Sequence, residues 1–364
     1  MDNIGILGST GEIGKRVVEL LHKKFTIKAT YHQKSPSKMI DQVKYFQVDV
    51  EKKQELQKFI EECDIVVNCA GASFLTSETI AKATLEAGVV YIDPFGAESL
   101  EKKLIEYKDK GLAVLSSGCF PGMTGILMCV LCETLDKVNE IYGIHIDNQV
   151  PSLYGIVDFI LSGIKGFGES GCYYYKGSKK RDKNYVEIRD YENNEFMTQK
   201  YYTAEIDRIA KKYKPESAIW YAPVLSDEIM HIMQKAVWSY MDSKEIEVIK
   251  QCAQQIRQIV SKEIGIKRNC EINITVIGYV QEEKKKKNIV LKAQNSSDIS
   301  AVVLCSVIES IINKKMKPGI YYAPDIVAFH EMKSIIAASK IQVYCNDEIF
   351  KNEIGAEIYE EGYI

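Results

Sequence analysis

Seven residues constrain this chain more than any others: Gly8-Ser9-Thr10-Gly11-Glu12-Ile13-Gly14. They follow the apolar segment Asn3 to Leu7, which reads as a strand. They precede Ile13, Val17, Leu20 and Leu21, whose spacing reads as one face of a helix. A strand, a glycine turn and a helix in that order form a phosphate cradle. Gly8 permits the tight turn, Gly11 lets backbone approach a pyrophosphate, and Gly14 lets helix and sheet pack closely. The positive end of the helix faces the phosphates. The reading is therefore a dinucleotide site formed by Gly8, Ser9, Thr10, Gly11, Glu12 and Ile13.

The first third of the chain repeats the alternation. Strands are expected at Phe25 to Tyr31, Lys44 to Val48, Ile65 to Cys69, Val89 to Ile92 and Ala113 to Ser116. Helices are expected at Glu51 to Glu62, from a cap at Ser77 to near Gly88, and from Glu98 to Lys110. This is the pattern of a doubly wound parallel sheet. After Pro121 the pattern changes. Tyr142, Ile144 and Ile146 alternate with their neighbours, as do Ile272, Ile274 and Val276, so strands with one covered and one wetter face are expected, in an antiparallel sheet. Gln281 to Asn288, with four consecutive lysines, reads as the solvated turn of a hairpin. The fold class is thus α/β, an N-terminal Rossmann domain with a second mixed α/β domain. The expected division is 1–120 for nucleotide binding, with 320–364 packing back on it, and 121–319 for substrate and dimerisation.

Composition excludes several classes. The net charge of −3 recruits neither nucleic acid nor an anionic membrane. No apolar run is read as long enough to span a bilayer, and Met1-Asp2-Asn3 does not read as a signal peptide. The ten cysteines lack zinc-type spacing, so no metal is expected. Cys129 and Cys132 read as buried helix residues. A reduced cytoplasmic compartment and a homodimer are the expectations.

A Rossmann acid for the adenosine ribose is expected about twenty residues after the glycines, but Thr30 to Ser35 contains none. His32, Lys34 and Ser35 are instead candidates for a 2′-phosphate, which favours NADP(H) over NAD(H); the alternative is that Lys34 is an ordinary exposed lysine. Asp49 and Val50, after the third strand, are placed to meet the adenine. Cys69, Ala70 and Gly71, after the fourth, offer backbone to the cofactor.

Three stretches resemble a known family: Asp64 to Gly71 ending in Asn-Cys-Ala-Gly, Ala87 to Asp93, and Gly118-Cys119-Phe120-Pro121-Gly122. They are similar to the saccharopine dehydrogenase (reductase)-like family, as is Met316-Lys317-Pro318-Gly319-Ile320. The resemblance covers about the first 130 residues and thins between Val150 and Val280. It implies NAD(P)-dependent hydride transfer to or from a C–N bond of an amino-acid-derived or carrier-bound intermediate, in a cleft between two domains. Reduction of an activated C=C bond, or a non-catalytic NADP(H)-binding redox sensor, are the alternatives.

Hydride transfer needs a positioned nicotinamide and a proton source. Gly118, Cys119 and Phe120 are expected beside the nicotinamide, Cys119 through its backbone rather than as a nucleophile. Asp93 either orients an amine or relays a proton, or it is a helix cap or turn former before Pro94. The stretch Ser162 to Gly171, with four glycines, suggests a mobile lid or a close backbone approach. Tyr174 with Lys176 is either a proton-donating couple or part of a strand of alternating tyrosines.

Overall fold

The computed structural model describes residues 3–263, 269–346 and 357–358. The chain divides into two units: Met1–Ile126 with Ser296–Lys340, and Leu127–Asn295 with Ile341–Ile364.

In chain order the first run is β1 (Asn3–Leu7), α1 (Glu12–Leu21), β2 (Thr26–Tyr31), β3 (Val43–Gln47), α2 (Lys53–Ile60), β4 (Ile65–Asn68), α3 (Ser73–Glu86), β5 (Val90–Ile92), α4 (Ala97–Leu104), β6 (Leu112–Leu115) and α5 (Met123–Glu133). The second run is β7 (Lys137–Asp147), α6 (Leu153–Lys165), β8 (Gly168–Ser170), β9 (Cys172–Tyr175), β10 (Ser178–Arg181), β11 (Val186–Arg189), β12 (Glu195–Thr203), α7 (Ala204–Tyr213), β13 (Ser217–Pro223), α8 (Asp227–Ser243), α9 (Ile246–Glu263), β14 (Cys270–Val280) and β15 (Glu283–Ala293). The chain closes with α10 (Ser296–Asn313), β16 (Gly319–Tyr322), α11 (Ala323–Ile326), α12 (Lys333–Ala338), β17 (Gln342–Cys345) and β18 (Glu357–Ile358).

The first unit holds a parallel sheet of seven strands in the order β16-β6-β5-β4-β1-β2-β3. The chain leaves β1 towards β2 and β3, then returns to β4 on the other side. That reversal creates the switch point at which open α/β sheets bind ligands. β4 and β5 are buried on both faces, as parallel central strands require. The expected division is corrected at two places. α10 was placed in the second domain, but it packs on α1, with Arg16 2.8 Å from Asp298 and Lys24 2.6 Å from Glu309. It is also long and apolar enough to cross a bilayer by length and composition, where no such run was expected. Its residues from Ile299 to Ile308 are buried. At the C-terminus β16 joins β6, but β17 pairs with β15 and so lies in the second unit.

The second unit is built on a mixed sheet whose main path is β10-β9-β13-β7-β14-β15-β17-β18. It is not purely antiparallel, because β13 runs parallel to β7. Nor does β14 have a wet face: it is buried from Cys270 to Val276. Its polar side chains find partners instead of water. Asn288 Nδ2 donates to Asn273 Oδ1 and Thr275 Oγ1, both at 2.8 Å, and Glu271 accepts the Tyr191 N–H at 3.0 Å. The lysine run is not a turn. Lys284 to Lys287 pair along β15 with Tyr279 to Val276, and the turn is Gln281-Glu282 alone, with φ of 48° and 69°. Two left-handed residues form a two-residue hairpin turn that matches the strand twist.

Two further expectations change. α3 begins at Ser73, a turn before Ser77, whose side chain faces inward to Asn68. The glycine-rich stretch is no lid-like loop. Ile156, Val157, Ile160 and Leu161 carry α6 through Gly163, and Gly166, at φ 78°, ends it. β8 then pairs with β12.

Candidate functional site

The glycine turn is fixed by its neighbours. A Cβ on Gly8 would lie 2.6 Å from the Cys69 carbonyl oxygen, and one on Gly14 would lie 2.5 Å from the Gly8 carbonyl oxygen. Gly11 differs: its Cβ would come no nearer than 3.3 Å to any neighbour, and the residue is exposed. Gly11 is thus the least hindered of the three, though a Cβ would still press on the Gly8 carbonyl oxygen, and no side chain caps α1 there. Exposed N–H groups at an uncapped helix start suit an anion. Thr10 and Glu12 are exposed, and Ile13 is half-buried. Ser9 is not aimed at that helix start. Its hydroxyl donates to the Thr30 carbonyl at 2.8 Å, and its N–H does so at 2.9 Å, tying the turn to β2.

The strand ends line one edge of the sheet. On one side of the turn, the Val48 N–H donates to the Tyr31 carbonyl and the Gln47 amide donates to the His32 carbonyl, both at 3.0 Å. A hollow of about 300 Å³ lies there, lined by His32, Gln33, Gln47, Asp49, Lys52 and Glu55. Of the candidates for the adenosine end, His32 and Asp49 line it. Lys34 and Ser35 are exposed on the following loop, and Val50 packs against the core. Gln47, Lys52 and Glu55 were not anticipated. Lys52 and Glu55 lie three and six residues after Asp49, so the helix register after β3 is the signal that could have found them.

On the other side, the Cys69 N–H donates to Leu7. Cys69 is half-buried with its thiol pushed up by burial, Ala70 packs against the core, and Gly71 is exposed. Beneath them lies a buried polar network. The Asn68 amide donates to the Ser77 hydroxyl at 3.0 Å, and to the Tyr91 oxygen and Asp93 Oδ2 at 3.1 Å. The Tyr91 hydroxyl donates to the same Asp93 oxygen at 2.5 Å, and the Phe95 N–H donates to the other at 2.8 Å. Asp93 has no exposed surface. Burial pushes its carboxyl above the usual range, while the Tyr91 hydroxyl and the Phe95 N–H pull it down. Burial also raises the Tyr91 phenol, helped by the Asp93 charge, so the phenol keeps the proton it donates. This geometry fits the turn-forming reading of Asp93. Tyr91 and Ser77 were missed, although Tyr91 stands two residues before Asp93 on the same strand face.

The turn after β6 abuts the network. The Ser117 N–H donates to the Asp93 carbonyl at 3.0 Å, and a Cβ on Gly118 would sit 2.5 Å from the Pro94 oxygen. Cys119 is buried, its N–H donating to the Ser300 hydroxyl on α10 at 3.0 Å, and Phe120 is half-buried. The remaining candidate, Tyr174, lies in β9 of the second unit and is buried. The proposed couple with Lys176 does not form. Lys176 sits in the following turn, 3.3 Å from Glu216 and over the Tyr175 ring.

Residues 4–113 match the saccharopine dehydrogenase NADP binding domain. Over 94% of this chain and 100% of the other, the structure resembles apo histidine-tagged saccharopine dehydrogenase (L-Glu forming) from Saccharomyces cerevisiae, with a TM-score of 0.63 at 10% identity. It is also similar to C. glutamicum DAP dehydrogenase in complex with DAP, over 93% of this chain and 98% of that one, with a TM-score of 0.49 at 10% identity. No curated protein matches the chain. Fold and glycine turn together define an α/β protein whose residues 4–113 form a dinucleotide-binding domain of the NADP-binding kind, on a fold shared with saccharopine dehydrogenase.

Proposed function

We propose that this chain is an NADP(H)-dependent reductase of a C=N bond in an amino-acid-derived or carrier-bound intermediate. The observation that carries the reading is the exposed, uncapped start of α1 at Gly11, within a stretch that matches an NADP binding domain. Gly8, Thr10, Gly11, Glu12 and Ile13 hold the pyrophosphate through backbone. The adenosine end lies towards His32 and Asp49, and the nicotinamide end towards Cys69, Ala70, Gly71 and the Gly118 to Phe120 turn. The bound cofactor supplies a hydride. Asp93 is a positioning residue, because it is fully buried and both of its oxygens accept protein hydrogen bonds: it holds the β5 end and, through Asn68, the β4 end. The proton then comes from water or from the substrate's own ammonium group.

C=N is preferred to C=C because the structurally similar protein is a saccharopine dehydrogenase (L-Glu forming), named for chemistry on an amino acid. The test is loss of the NADPH absorbance with two acceptor sets: mixtures of 2-oxo acids with amino acids, which form imines, and enoyl thioesters. Turnover with the first set alone is the expected result. Turnover only with enoyl thioesters would replace the substrate class. Tight NADPH binding with no turnover on either set would favour a sensor.

A further inference from the structure

The second unit carries a cavity of about 490 Å³ between the start of α6 and one face of α9, lined by Leu153, Gln254, Arg257, Gln258, Ser261 and Lys262. The five α9 residues fall at the i, i+3, i+4, i+7 and i+8 positions, so a single helix face supplies them. They are exposed and Leu153 is half-buried, so a ligand can enter from solvent.

No acid lines this cavity, and among the described residues no carboxylate pairs with Arg257 or Lys262. Other arginines are placed differently. Arg16 lies 2.8 Å from Glu19 and from Asp298, and Arg189 lies 2.5 Å from Glu195. Arg257 instead donates its Nε hydrogen to the Pro151 carbonyl at 3.2 Å. That bond ties the guanidinium to the segment entering α6 and leaves the Nη donors for a ligand. A guanidinium held in this way loses less freedom on binding than a loose one. Lys262 lies one and a half turns further on, about 7.5 Å along the helix axis.

Two cations in a cavity without an acid repel each other and attract an anion. Gln254, Gln258 and Ser261 add uncharged donors and acceptors, and Leu153 adds an apolar wall. That mixture, in a volume of about 300–1,000 Å³, is the composition of a small-molecule site. None of these residues belongs to the dinucleotide reading above.

We propose that this cavity is a second ligand site, which takes a small organic anion bearing a carboxylate or a phosphate. Arg257 holds the anionic group through its Nη donors. Lys262 balances the remaining charge, and the two glutamines and Ser261 bond the polar groups of the ligand body.

The test is calorimetry on the full chain with inorganic phosphate and with glutarate, at constant ionic strength. It compares the parent with Arg257→Gln, Lys262→Gln and Gly11→Asp. Whichever of the two probes binds more tightly assigns the anion class. Saturable binding is expected in the parent and in Gly11→Asp alike. It should weaken at least about tenfold in Arg257→Gln, which loses charge-assisted hydrogen bonds. It should weaken about two- to fivefold in Lys262→Gln, which loses an exposed ion pair. Both substitutions are at exposed positions, so the melting transition should stay near that of the parent. Equal affinity in the parent and in folded Arg257→Gln would overturn the site. Binding abolished by Gly11→Asp would also overturn it, by moving the anion to the dinucleotide turn. So would the absence of saturation with either probe below about 10 mM, the affinity that one charge-assisted hydrogen bond supplies.

Discussion

At the scale of single residues, the three glycines of the turn make different demands. Gly8 has φ 72° and faces backbone, and Gly14 also faces backbone, so a side chain at either must displace main chain. Gly14→Ala is expected to destabilise the protein by about 1–3 kcal/mol, as overpacked sites do, measured by denaturant melts. Gly11 is less hindered, its Cβ 3.3 Å from the Gly8 carbonyl oxygen. Gly11→Asp should cost less stability than Gly14→Ala, leaving a folded protein, and weaken NADPH binding by at least about tenfold, because a carboxylate would occupy and repel the phosphate space. Unchanged affinity in that folded variant would remove the phosphate assignment. Asp93→Asn makes a contrasting case. If Asp93 only positions, the variant should lose stability, by about 1–3 kcal/mol for a disrupted buried network, while the pH profile of turnover keeps its shape. A lost limb in that profile would restore Asp93 as a proton donor.

At the scale of elements, β14 shows what a strand pattern conceals. Glu271, Asn273 and Thr275 look like a water-facing row, yet all three are buried. Burial raises the Glu271 carboxyl to about 7, with the Tyr191 N–H opposing and the Asp190 charge adding to the rise. A carboxyl that ionises later in the folded state than in the unfolded one costs stability as pH rises. The cost grows from the usual value of 4.5 to about 7 and is constant above that. It reaches at most about 3 kcal/mol. Glu271→Gln keeps an oxygen for the Tyr191 N–H, so it should flatten stability across that window and stabilise the protein at about pH 8. A parent whose melting temperature does not fall from about pH 5 to about pH 7 relative to Glu271→Gln would refute this.

The same contrast explains what the sequence reveals. The βα series of the first unit was legible because period and turn chemistry act locally: Asn3 to Leu7 is a strand with the expected bounds, and α1 starts one residue before its expected start. The second unit was less so. The buried row on β14 depends on Asn288 and Tyr191, fifteen and eighty residues away from the residues they bond. Ser77 likewise reads as a cap until Asn68 is known to face it. Of the site, the glycine turn was legible because its function needs no side chains. The hollow was half legible: His32 and Asp49 were found, but Lys52 and Glu55 enter through the packing of α2 against the end of β3.

At the scale of the whole molecule, the first unit is assembled from two stretches of chain. α10 supplies the helix against α1, and β16 supplies an edge of the sheet. Each large apolar side chain buried on α10 contributes about 1.5–3 kcal/mol, and several together rival the stability of an ordinary domain. A chain truncated after Asn295 should therefore lose NADPH binding, although it keeps the glycine turn and both flanking strand ends. Parental affinity in that truncation would show that α10 and β16 are not needed to hold the site.

The split also sets a schedule during synthesis. Translation adds about 5–20 residues per second, and β16 ends at Tyr322, nearly two hundred residues after the first stretch closes at Ile126. For roughly ten to forty seconds, a nascent chain therefore carries α1 with the residues that later meet α10 uncovered. Throughout that interval the dinucleotide turn has emerged from the ribosome without the helix that steadies it. Ribosome pausing or chaperone depletion should be felt first by the half of the protein that is made first.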